Sequence, residues 1–394
     1  MAMSNFLVLF INLYLLGFGQ AGFCDETTTS LFLLYRGMTV FPDLINCTAL
    51  TQLDLSFNDL TSVPVWVGQL INLQTLSLRA NQLTSVPAEI AQLVKLEYLY
   101  LDYNQLTSLP STIGQLVSLQ LLSLSYNQLA TIPADIVQLN SLNLLDLGNN
   151  LMTEIPVVVA QLVNLQYLYF SGNKMVSLPV WIGQLVNLQS LMIENNELTA
   201  LPAEIGLLVN LQNLYVRQNR LTALPPEIGL LVNLQILAVN HNPLNTLPAE
   251  VALLHNVGGG SGPYLGQNPI VCLPQAVLDY GGSNYYSYAA CVPTVSPTKS
   301  PNSDLTVNTT SASPTLRPTS PAKPTPTRRK LPPFNELYAR ARFPGTPRQQ
   351  SAGSSGSAGS TGAARGGGQV AEKDGMKATM NKMRQSLAAM RAEL

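Results

Sequence analysis

Histidine is almost missing from this chain: His241 and His255 are the only two among 394 residues. Cysteine is scarce as well, at Cys24, Cys47, Cys272 and Cys291, and no CxxC pair occurs. These gaps remove most catalytic and metal-binding readings. Neither histidine has a third ligand at metal-binding spacing, and the cysteine separations do not suit zinc. The glycine-rich GGGSG at 258–262 lacks the GK[ST] ending of a phosphate loop. Charged residues make up only 11% of the chain, and nothing in residues 25–292 suggests nucleic-acid binding. After the N-terminal stretch no apolar run is long enough to span a bilayer, and no apolar C-terminal tail suits a lipid-anchor signal. The expectation is a protein without cofactor or metal that is not an enzyme.

What the chain does have is a beat. Asn58, Asn81, Asn104, Asn127, Asn150, Asn173, Asn196, Asn219 and Asn242 follow one another at intervals of 23 residues. Prolines keep the same interval from Pro64 to Pro248. A fixed period of this size marks stacked repeats, which present an extended surface rather than a closed pocket. Each unit follows LxxLxLxxNxLtxLPxxIgqLvN, as in LEYLYLDYNQLTSLPSTIGQLVS from Leu96. The LxLxx part alternates like a short strand, and stacked units place these strands side by side in a parallel sheet. The asparagine amide follows at the bend, suited to backbone groups left unpaired there, so stacked asparagines should form a buried ladder. The proline fixes φ at the start of a short helical or 3₁₀ return segment. Glu89, Glu204, Glu227 and Glu250 recur at the start of that segment, where its dipole favours an acid, and so read as structural.

These leucine, asparagine and proline positions resemble the leucine-rich repeat family, in the short-repeat form of the Ras-group scaffold proteins. The resemblance implies an α/β solenoid: a curved parallel sheet on the concave side and short helical or 3₁₀ segments on the convex side; the Pro/Thr/Ser-rich composition after residue 292 adds the expectation of a disordered C-terminal tail. It also implies recognition, adhesion or receptor-like roles for the concave face, or alternatively an intracellular scaffold in Ras-like small-GTPase signalling.

The organisation expected along the chain is a signal peptide at 1–21, a cysteine-containing cap at 22–50, nine repeats at 51–257 and a second cysteine-containing cap at 258–292. A Pro/Thr/Ser-rich stalk at 293–327, a basic and Gly/Ser-rich linker at 328–370 and a short amphipathic helix at 371–394 follow. The apolar stretch Phe6–Phe18 has the size of a signal-peptide core. An uncleaved anchor, extended by Leu31 to Leu34, is the other reading. All four cysteines flank the repeats. Of three pairings, Cys24–Cys47 and Cys272–Cys291 are expected, because the other two would have to bridge the length of the stack. Four free thiols in a cytosolic protein is the alternative. Thr39–Leu50 reads as a degenerate unit one residue short, and the five tyrosines between 263 and 292 read as packing over the last repeat rather than binding a ligand. Asn46 and Asn308 are N-glycosylation acceptors.

Between the apolar beats of each strand lie outward positions, which form columns on the concave face. The candidate ligand surface is Tyr98, Tyr100, Asp102, Tyr103, Leu121, Tyr126, Leu144, Asp146, Tyr167, Tyr169, Glu194, Tyr215 and Arg217. Tyrosines flanked by leucines and charges suit a protein or peptide, and would also stack on a glycan. The other reading is that these rings only satisfy the propensity of an exposed sheet. From Asp25 to Val292 there are 6 Lys+Arg and 17 Asp+Glu, a net of −11; from Arg328 to Leu394 there are 12 and 4, a net of +8. The basic tail suits acidic surfaces or membrane headgroups. Met376, Met380, Met383, Leu387, Met390 and Leu394 make a short heptad stripe able to self-associate weakly or dock on a partner. The resulting expectation is a secreted or cell-surface binding protein.

Overall fold

The computed structural model describes residues 23–24, 27–260, 262–279, 285 and 287–291. The readings for 1–21, for Asn308 and for everything from 293 onward lie outside the described residues.

Ten three-residue strands run parallel in one sheet, in the order of the chain. They are β1 (Ser30–Phe32), β2 (Gln52–Asp54), β3 (Thr75–Ser77), β4 (Tyr98–Tyr100), β5 (Leu121–Ser123), β6 (Leu144–Asp146), β7 (Tyr167–Tyr169), β8 (Ser190–Met192), β9 (Asn213–Tyr215) and β10 (Ile236–Ala238). From β2 to β10 the pairing offset equals the sequence period, for example Tyr98↔Leu121 and Leu121↔Leu144. Period and register are therefore one fact, and a one-residue slip in any unit would misalign every later pair. The inward side chains fill the space between sheet and outer arc. In the unit from Leu96, the side chains of Leu96, Leu99, Leu101, Leu106, Ile113 and Leu116 are all 0% exposed. Full burial stabilises by about 1.5–3 kcal/mol per side chain, so the hydrophobic term rises nearly linearly with repeat number.

The asparagines form the expected ladder. The Asn127 amide donates to the Leu101 and Leu124 carbonyls at 3.0 and 2.9 Å, and its Oδ1 accepts the Leu106 N–H at 2.9 Å. Two of the three partners belong to the preceding unit, so each asparagine closes its own bend and ties it to its neighbour. The residue before the asparagine is left-handed throughout the stack, as at Phe57, Tyr103, Tyr126 and His241. The return segment is a five-residue 3₁₀ turn in all nine units, such as Ser111–Gln115, with the proline as its N-cap. Successive turns approach closely. A Cβ on Gly206 would lie 2.7 Å from the Glu227 carbonyl oxygen, which is why IGQL-type segments favour glycine or another small residue there.

The ends extend the repeat further than the beat does. β1 pairs with β2 at an offset of 22 rather than 23, Ser30↔Gln52, the same one-residue deficit seen between Pro42 and Pro64. Leu31 and Leu33 belong to this first coil, and Leu33 is buried in the common core. They alternate with exposed residues as a strand does, and do not continue a membrane anchor. No described helix is long and apolar enough to cross a membrane. At the other end, Asn268 takes the next rung, accepting the Leu244 N–H and donating to the Val239 and Leu265 carbonyls. It stands 26 residues after Asn242, and the three extra residues fall between Gly258, whose N–H still donates to the Gln235 carbonyl at the regular offset, and Tyr264, where GGGSG interrupts the pattern. Residues 264–274, YLGQNPIVCLP, thus match 238–248, AVNHNPLNTLP, and a short helix α1 (Gln275–Asp279) takes the place of the 3₁₀ turn. Tyr285 covers this end, 2% exposed, against Gly262 at φ +85, where a Cβ would meet the phenol at 2.6 Å. The cysteines pair as expected, Cys24 with Cys47 and Cys272 with Cys291.

Candidate binding surface

Because each strand sits in register with the next, the outward residues of the sheet stand in straight columns. Tyr98, Leu121, Leu144 and Tyr167 occupy one column, and Tyr100, Ser123, Asp146 and Tyr169 the next. Tyr98, Tyr100, Tyr167 and Tyr215 are half-buried, flanked by neighbouring columns but open on the concave side. Leu121, Leu144 and Tyr169 are buried, at 5%, 6% and 4% exposure. The intervals in the sequence place these residues on the same face as their neighbours without encoding their depth. Tyr167 and Tyr169 meet edge to face at 6.5 Å, and the Tyr167 hydroxyl donates to Gln189 Oε1 at 3.4 Å. Burial pushes the Tyr100 phenol up to about 12, with Tyr98 and Asp102 adding to the effect, and raises Tyr167, Tyr169 and Tyr215 in the same direction. These rings present neutral hydroxyls at any physiological pH.

The left-handed positions add a ridge along one edge of the columns. Tyr35 stacks on Phe57 at 4.5 Å, and Tyr103 on Tyr126 at 4.2 Å. Ala80 falls between the two pairs. The guanidinium of Arg79 fills that gap, 5.8 Å from the Phe57 ring centre and 5.2 Å from that of Tyr103. Its Nε lies 2.9 Å from Asp102 Oδ2 as an ion pair, and the Ser123 hydroxyl donates to Asp102 Oδ1 at 3.2 Å. Burial raises the Asp102 carboxyl while Arg79 opposes that shift. Bulky residues at positive φ are strained by roughly 1–2 kcal/mol each; stacking at the ridge offsets part of this. The sequence hides Tyr35 because its spacing to Phe57 is 22, and hides Arg79 because it belongs to a neighbouring column. Its one hint is an alanine interrupting an aromatic series beside an arginine.

Farther along, Glu194 pairs with Arg217, and burial raises the Glu194 carboxyl against the pull of that arginine. Beyond them a hollow of about 670 Å³ is lined by Tyr215, Arg217, Ala238, Asn240, Tyr264 and Tyr288, among others. Tyr264 corrects the expectation for the cap tyrosines. It bridges to Ala238 as a further strand position and is 52% exposed on the concave side. Tyr285 and Tyr288 do pack against the core; Tyr280 and Tyr286 lie outside the described residues. The convex arc is different in kind. Val94, Val117, Val163, Val186, Val209 and Val232 line it, each about half exposed, and its two aromatic residues, Trp66 and Trp181, are partly buried against the core. Among the described residues no group of three or more His, Cys, Asp or Glu is placed to hold a metal ion.

A rung that ties each bend to the preceding unit, beneath a parallel sheet with 3₁₀ returns, coincides with the matches to family models. A leucine-rich repeat region model covers residues 111–194, and a leucine rich repeat model covers 48–106 and 71–129. The chain belongs to the leucine-rich repeat family. A leucine-rich repeat protein of Leptospira interrogans is 30% identical over 64% of this chain and 88% of its own, with a TM-score of 0.46. The functional domain of InlJ from Listeria monocytogenes is 27% identical over 63% of this chain and 48% of its own, with a TM-score of 0.51. The leucine-rich repeat ectodomain of the plant membrane receptor kinase GASSHO1/SCHENGEN3 from Arabidopsis thaliana, in complex with Casparian strip integrity factor 2, is 28% identical over 61% of this chain and 33% of its own, with a TM-score of 0.52. This leucine-rich repeat chain thus spans less than half of the internalin-type domain and about a third of the receptor ectodomain. No curated protein sequence matches it.

Proposed function

We propose that this leucine-rich repeat protein is an extracellular or cell-surface recognition module that holds a protein or peptide on its concave face. The observation that carries the reading is the concentration of half-buried tyrosines, Tyr98, Tyr100, Tyr167 and Tyr215, on the concave sheet, while the convex arc of the nine repeats has no tyrosine and its two tryptophans, Trp66 and Trp181, pack against the core. A tyrosine anchored on a strand offers large amphipathic contact at low entropy cost, the property of interface hot spots. The two disulfides support an oxidising compartment over an intracellular scaffold. Asn46 is exposed beside the first of them, as a glycan acceptor must be. The receptor ectodomain of similar fold, crystallised in complex with a partner factor, is consistent with recognition.

Peptides selected from a random library by the wild-type protein supply a ligand for the test. Replacing Tyr98, Tyr167 and Tyr215 together by alanine should weaken their binding at least about a hundredfold, since hot-spot truncations cost about 2 kcal/mol or more apiece. Replacing Val94, Val186 and Val209 by serine should change it by less than about threefold, the surface-substitution range. Equal losses in both variants, or undiminished binding by the tyrosine variant, would remove the concave reading.

A further inference from the structure

The concave face handles its acids in a repeated way, and at one place the pattern is incomplete. Asp102 has Arg79, and Glu194 has Arg217. Both arginines sit on the far side of their acids, so the column between Asp102 and Glu194 is left to Ser125, Gly148 and Ser171. The ridge thins at the same point: after Tyr126 its next two positions are Asn149 and Gly172. Gly148 has no positive φ, so its backbone conformation does not require glycine. A Cβ there would stand 3.2 Å from Asp146 Oδ1 and from the Ser171 carbonyl. The outcome is a trough of small residues beside Asp146.

Asp146 is 7% exposed. Its Oδ1 accepts the Gly148 N–H at 2.9 Å, and the Ser125 hydroxyl faces it. Among the described residues it has no ion pair with a lysine, arginine or histidine. The Ser171 Oγ, also in the trough, is out of solvent and has no hydrogen-bond partner among the described residues. A buried carboxylate without a cation is unfavourable, and a well-packed neutral side chain would serve the fold better. Burial pushes the Asp146 carboxyl up to about 6.

We infer that the trough takes an arginine side chain of the bound peptide, with its guanidinium on Asp146 and its plane toward Tyr126, the last ring of the ridge. Two repeats earlier the protein does this with its own residues: Arg79 lies between two rings and pairs with a buried carboxylate. The planar fork of arginine suits such a place, where the point charge of lysine neither stacks nor pairs in two-pronged fashion. The net charge of −11 on residues 25–292 favours a basic ligand as well. The inference rests on the concave-face reading and narrows it to a peptide bearing arginine.

The test selects peptides from a random displayed library on the full chain and measures the best of them by calorimetry. Arginine should be enriched over its library frequency and over lysine. A citrulline replacement, which keeps shape and loses charge, should weaken binding to the wild type at least about tenfold, as for one charge-assisted hydrogen bond. Asp146→Asn should bind the two forms alike. Selected peptides without arginine, or a citrulline form that binds the wild type as well as its parent, would overturn the inference. If those peptides still fail to bind the Tyr98/Tyr167/Tyr215 variant, the concave reading survives that loss; if no peptide is retained, both fall. The citrulline comparison needs no protein variant, so it stands even if Asp146→Asn does not fold.

Discussion

Asn127→Ala should destabilise the solenoid by about 2–6 kcal/mol, because the buried Leu106 N–H loses its partner, at about 1–3 kcal/mol, and two buried carbonyls each lose one of their two amide donors, at about 0.5–1.5 kcal/mol apiece. The three groups that Asn127 bonds are the Leu106 N–H and the Leu101 and Leu124 carbonyls, and these carbonyls keep Asn104 and Asn150 as donors. Two of the three lie in the unit before, so the change weakens an interface between units as well as one bend. In a stack held by nearest-neighbour contacts, a weakened central interface should split a single unfolding transition into two. Urea denaturation followed by circular dichroism tests this against Gln128→Ala, an exposed neighbour expected within about 0.5 kcal/mol of wild type. A loss below about 1 kcal/mol at Asn127, the net worth of one ordinary hydrogen bond, would show that water replaces the rung and that the ladder is not what fixes the period.

The second large effect runs the other way. Asp146→Asn should raise stability at pH 7.5 by up to about 3 kcal/mol, the worth of a shift of about two pKa units. The native carboxyl titrates near 6 against a reference of 3.8, chiefly because burial disfavours the charged form. Between those values the folded state holds a proton that the unfolded state has released. Stability therefore falls as pH rises through the window from about 4 to 6, and the full penalty persists above it. Wild type should melt higher at pH 5 than at pH 7.5, and Asp146→Asn should show much less of this gain. Some dependence should remain, since burial also raises Asp102 and Glu194. Thermal melts of both proteins across this range check the sign; a variant less stable than wild type at pH 7.5 would mean that Asp146 is paired and satisfied in the native state. A residue that weakens its own fold at neutral pH is a reasonable place to look for ligand contact, which is why it also anchors the arginine inference.

Most of the solenoid can be read from the sequence because the same physical problem recurs at each bend and has the same solution. An amide must satisfy three backbone groups, and a proline must set one torsion, so Asn and Pro mark the geometry directly. The ends were harder to read for the same reason. β1 is displaced by one residue and Asn268 by three, and a strict count passes over both. The candidate surface was legible as columns, because register follows period. Depth was not legible: Tyr100 and Tyr169 stand in the same column, yet one is half-buried and the other is buried. The Arg79 stack depends on a side chain crossing from one column to another, which a pattern of intervals does not encode.

The claim that recognition occurs on the concave face is tested most directly by covalent footprinting with and without a library-selected peptide, read residue by residue by mass spectrometry. The account predicts that bound peptide protects Tyr98, Tyr100, Tyr167 and Tyr215 and leaves labelling of Val94, Val186 and Val209 unchanged. Protection of the convex valines with the tyrosines still labelled would contradict it.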